Sequence, residues 1–313
     1  MPPSNFEKGI TVSVVSDSSS SAQGRIAGLF IYPVKSCAGI AVTDAVLLSC
    51  GLDLDRAWMV VDAQGQFVTQ REAPRLALVQ PTLKRAEVVL RAPGMLALHL
   101  ALDEVEEPVR VRVWDDEVAA YDMGDIAAQW FTDFLSLNDQ GLPSASGQSY
   151  RLVRFDPEHQ RLSSKKWTQE VDAPNQFSDG FPLLVVSQAS LDELNQRLQA
   201  QGHAAVSMAR FRPNIVLEGL AAHDEDRVSD IHVQTAEGTV VLRPVKPCAR
   251  CPIPNIDPQT GQSSPVVGDT LQTYRENHRL KGAVTFGMNV IVVAGQEHTL
   301  RLGQAVQADY NFD

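Results

Sequence analysis

The chain has 313 residues, enough for about two domains and a sizeable buried core. With 44% apolar and 21% charged residues, 20 Gly and 18 Pro, it has an ordinary globular mix that excludes collagen-like and low-complexity architectures. The 27 basic and 38 acidic side chains leave a net charge of −11, which disfavours a general nucleic-acid or anionic-membrane surface, so any anionic ligand needs a local basic pocket.

Residues 1–24 are polar and include the run Ser18 to Ser21, so they are expected to form a disordered tail: little in them offsets ordering entropy. Glu7 and Asp17 precede the first arginine, Arg25, with no long apolar run, so neither a secretory signal nor a transit peptide is expected. No stretch approaches the roughly 18 apolar residues of a membrane span, and no membrane association is expected. The four cysteines, Cys37, Cys50, Cys248 and Cys251, are too few to staple a chain of this size and suggest a reducing, cytoplasmic compartment.

From Arg25 to about Asp122 the pattern predicts strands at RIAGLFIYPV, AVTDAVLL, AWMVV, QFVTQ, LALVQPTL, AEVVLRA, MLALHLAL and VRVRVW, separated by turn signals such as Asp62-Ala63-Gln64-Gly65. Asp125 is placed to cap a helix reaching about Leu137, with apolar rows Ile126, Trp130, Phe134 and Ala127, Phe131, Leu135. The stretch Asn138 to Gln148 reads as a boundary loop, giving a β-rich first domain over 25–140. The second domain, 149–310, opens with strands YRLVRF and PLLVVS. Ser190 and Glu193 then suit a capping box for a helix with Leu191, Leu194 and Leu198 on one face and Gly202 at its end. Strand NIVLEG, the hairpin DIHVQT-AEG-TVVLRPV, a short helix near Thr270 to Asn277 and strands VTFGMNVIVVAG and HTLRLGQAVQA follow. Strands and helices do not alternate regularly and no repeat is visible, so the expected class is α+β, mainly β, with a few peripheral helices.

The common nucleotide and hydrolase motifs GxGxxG, GxxxxGK[ST], GxSxG and HExxH are absent. The most informative segment is Val245-Lys-Pro-Cys-Ala-Arg-Cys-Pro252, where Lys246, Arg250 and Arg243 favour a thiolate, a soft metal ligand and good nucleophile. Structural zinc needs two further ligands, and the seven His show no HxxxH pairing. A dithiol function prefers a helix N-terminus, whereas Pro252 and Pro254 follow here. Plain packing of two small side chains is the remaining alternative, and the flanking cations weigh against it. In Tyr32-Pro-Val-Lys-Ser-Cys-Ala-Gly39, Lys35 and Ser36 suit one phosphate, or equally a solvated hairpin loop. Arg56, Arg71, Arg75, Arg210 and Arg212, beside aromatic, Pro and Asn residues, suggest a partly enclosed anion site, with surface arginine the plain alternative for each.

The ordered set Tyr32-Pro-Val-Lys-Ser-Cys, Asp55-Arg-Ala-Trp, Ser178-Asp-Gly-Phe-Pro, Phe211-Arg-Pro-Asn-Ile-Val and Lys246-Pro-Cys-Ala-Arg-Cys, followed by Asp257-Pro-Gln-Thr-Gly261, resembles the MOSC-domain family, and within it the mitochondrial amidoxime-reducing components and their bacterial relatives. The resemblance runs from about Arg25 to the C-terminus. It implies a β-rich N-terminal domain and a MOSC β-barrel enclosing a molybdenum cofactor, that is, molybdopterin carrying Mo. By the same resemblance Cys251 is the metal ligand, Lys35, Ser36 and Arg56 hold the phosphate, and Arg212, Asn214 and Arg250 contact the pterin or its dithiolene edge. Arg71 and Arg75 join the cofactor-binding set as neighbouring cations. Asp179 and Asp257 are candidate proton donors because they sit in motif loops; turn capping is their alternative.

The implied activity is reduction of small N-hydroxylated substrates: amidoximes, hydroxylamines or N-hydroxylated bases. No nucleotide motif is present, and Cys37 and Cys50 are too few and isolated for an iron–sulfur cluster. Neither a membrane anchor nor a ferredoxin-like domain is expected, so electrons are expected from a separate ferredoxin-, flavodoxin- or cytochrome b5-like protein. The alternative implied function is a sulfur or cofactor carrier working through a cysteine persulfide. The chain differs from its relatives at Ala249, where a Ser is frequent, and at Gly180 and Phe181, where the mitochondrial proteins have small hydroxyl residues.

Overall fold

Runs of β-branched and apolar residues fold as strands through most of the computed structural model, which describes residues 21–137 and 147–311. The first part holds β1 (Ser21–Ile31), β2 (Ile40–Val42), β3 (Asp44–Leu48), β4 (Gly51–Leu52), β5 (Trp58–Asp62), β6 (Gln80–Leu83), β7 (Glu87–Arg91), β8 (Leu98–Ala101), β9 (Pro108–Val113), β10 (Asp116–Asp122) and helix α1 (Gly124–Leu135). There follow β11 (Tyr150–Phe155), α2 (Lys165–Thr168), β12 (Leu183–Ser187), α3 (Gln188–Ala200) and β13 (Ile215–Glu218). The last part holds β14 (Val228–Gln234), β15 (Thr239–Ala249), α4 (Val266–Gln272), β16 (Glu276–Asn277), β17 (Ala283–Ala294), β18 (Thr299–Arg301) and β19 (Ala305–Tyr310).

Seven strands close a barrel in the order β12-β13-β1-β19-β14-β15-β17, with β17 returning to β12. The β12–β13 pair is parallel, and α3 provides the crossover such a pair requires. Ile26, Leu29, Ile231, Leu242 and Val290 are among the side chains that fill the interior. Beside the barrel, β5-β11-β10-β9 and β6-β7-β8 form two smaller sheets. Trp58, Leu76, Phe131 and Phe134 occupy the core between α1 and these sheets. Among the described residues no helix is long and apolar enough to cross a membrane.

The sheets cross the domain boundaries expected from sequence. Strand β1, expected in the first domain, lies inside the barrel between β13 and β19. Its first residues, expected in the tail, pair with β19 from Ser21↔Asp309 to Gly24↔Val306. Conversely β11, expected to open the second domain, pairs with β5 and β10. The expected boundary loop lies largely outside the described residues.

Several local expectations give way to tertiary contacts. QFVTQ forms only isolated bridges, Val61↔Phe67 and Gln66↔Arg112. Pro74 starts a 3-10 turn over Pro74–Leu78, which delays β6 to Gln80. The backbone of Gly124 donates to Asp122 Oδ1 at 2.7 Å, so Asp125 does not cap α1; it faces Arg151 at 3.1 Å. Ile126 is 81% exposed while Trp130, Phe131 and Phe134 are buried. The capping box is also replaced: Ser187 is the N-cap of α3, and the Ser190 hydroxyl donates to Glu225 at 2.8 Å while accepting the His223 N–H. The expected face of α3, Leu191, Leu194 and Leu198, is buried, whereas α4 starts earlier than the expected helix at Thr270.

Gly287 marks the seam where β17 meets β12. Its φ is +75°, and an added Cβ would lie 2.7 Å from the Val185 carbonyl oxygen and 2.6 Å from Val186 Cγ2. Gly287→Ala is therefore expected to lower stability by about 1–3 kcal/mol, read as an earlier urea midpoint. An unchanged midpoint would show that the seam relaxes around the methyl group.

Candidate functional site

The β15–β17 ladder becomes irregular toward the end of β15. Pro244 and Pro247 have no N–H to donate, and the β15–β17 register shifts between Pro244 and Lys246 and between Pro247 and Ala249. The Arg250 N–H then donates to the Val284 carbonyl at 2.8 Å. This anchors the strand end that brings Cys248, Arg250 and Cys251 to one cavity. Lys35, Ser36, Arg56, Arg71, Asp179, Arg212 and Asn214 line the same cavity, which contains about 850 Å³ of space, solvent at its mouth included.

Three lining residues, Ser36, Arg56 and Arg212, have left-handed backbones, with φ of 68°, 52° and 57°. Such conformations persist in non-glycine residues when surrounding contacts fix them, and they cluster at functional sites. Arg56 and Arg212 stack on the Tyr32 ring, 4.3 Å and 4.4 Å from its centroid. Burial pushes the Tyr32 phenol up to about 12 although both guanidinium groups pull it down, so the ring they stack on is neutral. Arg56 also pairs with Asp55 and donates from Nη2 to the Arg212 carbonyl at 3.1 Å; Arg212 donates to the Cys37 carbonyl at 2.6 Å. The N-terminal and barrel segments thus fix each other's cations.

Lys35 is only 5% exposed and donates to the Phe177 carbonyl at 2.8 Å and to Asp179 Oδ1 at 2.6 Å. Burial pulls its pKa down, opposed by Asp179. At Asp179 burial pushes the carboxyl up, but Lys35, with Arg71 and Arg56, overrides this and holds it at about 2. An ionised carboxylate accepts hydrogen bonds and has no proton to give, so this geometry does not support the proton-donor expectation for Asp179. Its folded value lies below the 3.8 of a free aspartate, so the ion pair stabilises the fold above about pH 4 and fades as pH falls towards about pH 2. Over that window Asp179→Asn is expected to show a flatter dependence of the urea midpoint on pH than wild type. Parallel curves would sink this assignment.

Two further expectations are corrected by position. Arg75 does not line the cavity: its guanidinium stacks on Phe134 at 4.6 Å, with Nε 3.3 Å from the Phe134 carbonyl. Asp257 also lies off the cavity, where it accepts the Gln259 and Thr260 N–H groups as a turn and pairs with Arg210 at 2.8 Å. It is Arg210 that lines the cavity. Asn214 lines the cavity, yet its amide is committed to backbone: Oδ1 accepts from Leu184 N–H and Nδ2 donates to the Phe30 carbonyl.

Sequence reasoning missed Thr69 and Asn289 as lining residues and Arg161 as a buried strut. Arg161 reaches Asp116 at 2.8 Å and donates to Asn175 Oδ1 and to the Gln176 and Ser178 carbonyls, so it holds the loop that carries Asp179. Only its distant partners reveal this role.

Six cations and one carboxylate line the cavity, in a protein whose net charge is −11. Arg250 donates from Nε to the Phe286 carbonyl and from Nη1 to the Phe211 carbonyl, while Nη2 is buried without a partner among the described residues. A buried orphan donor of this kind calls for an acceptor on a ligand. All four cysteines are free, and no three His, Cys, Asp or Glu side chains among the described residues converge as metal ligands. The site therefore suits an anionic group.

Family models describe the same chain in two parts: a MOSC N-terminal beta barrel domain matches residues 23–138 and a MOSC domain matches residues 172–307. The chain is 35% identical over 265 residues to mitochondrial amidoxime reducing component 2 of Rattus norvegicus, covering 80% of this chain and 72% of the relative. It is 35% identical over 265 residues to component 1 of Homo sapiens, covering 81% and 72%. Similarity to the molybdenum cofactor sulfurase of Bos taurus is 31% over 268 residues, covering 80% of this chain and 29% of that protein.

Proposed function

The chain belongs to the MOSC-domain family, and from that premise we propose that it is a molybdenum-cofactor enzyme that reduces N-hydroxylated compounds such as amidoximes with electrons from a separate protein. One observation carries this reading: a single cavity of an acidic protein collects six cations, two thiols and the orphan Nη2 of Arg250. Cys251 would bind the metal. Lys35, Ser36 and Arg56 would hold the phosphate, and Arg212 and Arg250 would face the pterin edge. When bound, the cofactor supplies the two-electron chemistry that removes the hydroxyl oxygen from nitrogen.

The protein's own contribution is placement and charge. The ring of guanidinium groups offsets a multiply charged ligand that the surface as a whole repels. Burial disfavours the charged form of Lys35, and the ion pair with Asp179 opposes that effect. Phe181, with Lys246 Nζ 5.8 Å from its ring centroid, adds an apolar wall to the cavity. For the donor, a surface of net charge −11 implies docking whose rate depends on salt.

The test is to purify the chain from a host that makes the cofactor and to measure molybdenum and oxidised-pterin fluorescence on one sample. About one equivalent of each is expected, with anaerobic benzamidoxime turnover driven by a viologen reductant and none by NADH or NADPH alone. Turnover with nicotinamide nucleotide and the pure chain would overturn the separate donor. The similarity to a molybdenum cofactor sulfurase, with both Cys248 and Cys251 on the cavity wall, favours a second reading as a sulfur carrier. A persulfide on either cysteine, without turnover, would establish it in place of the reductase.

A further inference from the structure

The turn Asp224–Arg227, between β13 and β14, buries a carboxyl group whose partners are all neutral. Glu225 is 1% exposed; its oxygens lie 2.8 Å and 2.9 Å from the Ser190 hydroxyl, and one of them lies 3.2 Å from the Ser187 N–H. Ser187 is the N-cap of α3 and Ser190 sits in its first turn. We propose that Glu225 is a proton-operated latch on α3: as a carboxylic acid it closes the start of the helix onto this turn, and its ionisation lets that end go. None of these residues lines the candidate cavity, and the latch does not depend on the reductase reading.

The geometry itself counts the protons. Both Glu225 oxygens are within hydrogen-bond distance of one hydroxyl, which has one proton and two lone pairs. The Ser190 oxygen already accepts the His223 N–H at 2.8 Å. A carboxylate would receive one bond from Ser190, shared between its oxygens. A carboxylic acid receives that bond and returns its own O–H to the remaining lone pair. Two short contacts and a filled serine oxygen match the acid form.

The surrounding charges favour the same form. Asp224 and Asp226 flank Glu225, and the cations of the neighbouring segments are engaged elsewhere. Arg227 pairs with Asp224 at 3.8 Å, Arg275 with Asp226 at 2.5 Å, Arg243 of β15 with Asp230 at 2.8 Å and Arg197 of α3 with Glu193 at 2.6 Å. Lys246 of β15 lies 5.3 Å from the Trp167 ring, and Tyr310 of β19 donates to Asp224 at 3.1 Å. Strands β12 and β17 bring no titratable side chain. His223 adds no charge near neutral pH, because burial and then Arg275 pull its imidazole down to about 4. A buried carboxylate without a cation is costly. Burial pushes Glu225 up to about 7, opposed by the Ser190 hydroxyl and reinforced by Asp226.

That folded value lies above the 4.5 of a free glutamate, so the latch stabilises fully below about pH 4.5 and fades as pH rises through about 7. Its release reaches the layer behind the cavity wall. Leu191, Leu194 and Leu198 of α3 pack with Phe211 and Phe286, in the cluster against which Cys248 rests.

The test compares the full chain with Glu225→Gln, whose amide carries both a donor and an acceptor and so imitates the acid at every pH. In difference infrared spectra, wild type should show a protonated-carboxyl band that disappears as pH rises through about 7 and is missing from Glu225→Gln. Over the same range, hydrogen-exchange protection at the amides of Leu191 to Asn195 should fall at least about tenfold in wild type and stay level in the glutamine variant. If wild type and variant show the same carboxyl bands below about pH 6, Glu225 is already ionised and the proposal is overturned. A band that titrates while the protection of α3 stays level, or falls equally in Glu225→Gln, would also overturn it, leaving a buried acid with no hold on the helix. Should the variant not fold, wild type decides alone: protection that is level through about pH 7 contradicts the latch.

Discussion

Cys251→Ser is expected to yield a folded protein without bound molybdenum and with benzamidoxime turnover reduced by more than about 100-fold, whereas Cys248→Ser keeps the metal. Loss of groups that only support a metal ligand already costs roughly 10–100-fold, so loss of the ligand itself should exceed that range. Both thiols line the cavity, and their surroundings separate them. Cys248 packs against the cluster built on Phe211 and Phe286, and burial pushes its thiol up although Arg250 pulls the other way. It therefore sits as a protonated, space-filling side chain. Cys251 stands beyond the strand end that Arg250 anchors at Val284 and belongs to none of the core clusters. Cys248→Ser should lose some stability, roughly 1–3 kcal/mol for a hydroxyl placed in that cluster. Molybdenum analysis and thermal unfolding of both variants decide the matter. Metal retained in Cys251→Ser and lost in Cys248→Ser would reverse the assignment.

The sequence pattern revealed what depends on neighbours along the chain and concealed what depends on distant partners. Leu191, Leu194 and Leu198 recur at helical spacing, and their burial follows from that period alone. The closure of β17 onto β12 and the seat of β1 between β13 and β19 join residues far apart in sequence, which no local period records. Ser190 illustrates the same limit: its spacing to Glu193 fits a capping box, but a buried Glu225 from another segment takes the hydroxyl. In the site, Lys35, Arg56, Arg212 and Arg250 stood out because each is a cation in a short segment rich in turn or aromatic residues. Arg75 and Asp257 share that local look, yet they serve a helix end and a turn. Arg161 sits in a segment with no such signal, and its four bonds exist only once the loop at Asn175 to Ser178 has folded back.

Arg56→Ala is expected to weaken cofactor retention by about ten- to a hundredfold and to loosen the grip between the N-terminal segment and the barrel. A charge-assisted bond to phosphate contributes roughly 1.5–3 kcal/mol, which gives that range of affinity. The structural effect arises separately, because Arg56 joins three partners: Asp55, the Tyr32 ring and the Arg212 carbonyl. Asp55 is 4% exposed and would keep only the Tyr32 N–H, at 2.8 Å, among these groups. Leaving its other oxygen short of a partner costs roughly 1–3 kcal/mol in the cofactor-free protein. Arg56→Lys separates the two effects, since an ammonium keeps a point charge for phosphate but cannot serve both Asp55 and the Arg212 carbonyl with the same planar fork. The lysine variant should recover part of the retention and little of the stability. Pterin fluorescence remaining on the protein after dilution and gel filtration measures the first quantity, and the urea midpoint of the cofactor-free chain measures the second. Wild-type retention in Arg56→Ala would remove Arg56 from the phosphate clamp, and an unchanged midpoint would show that Tyr32 and Arg212 hold the two segments together without it.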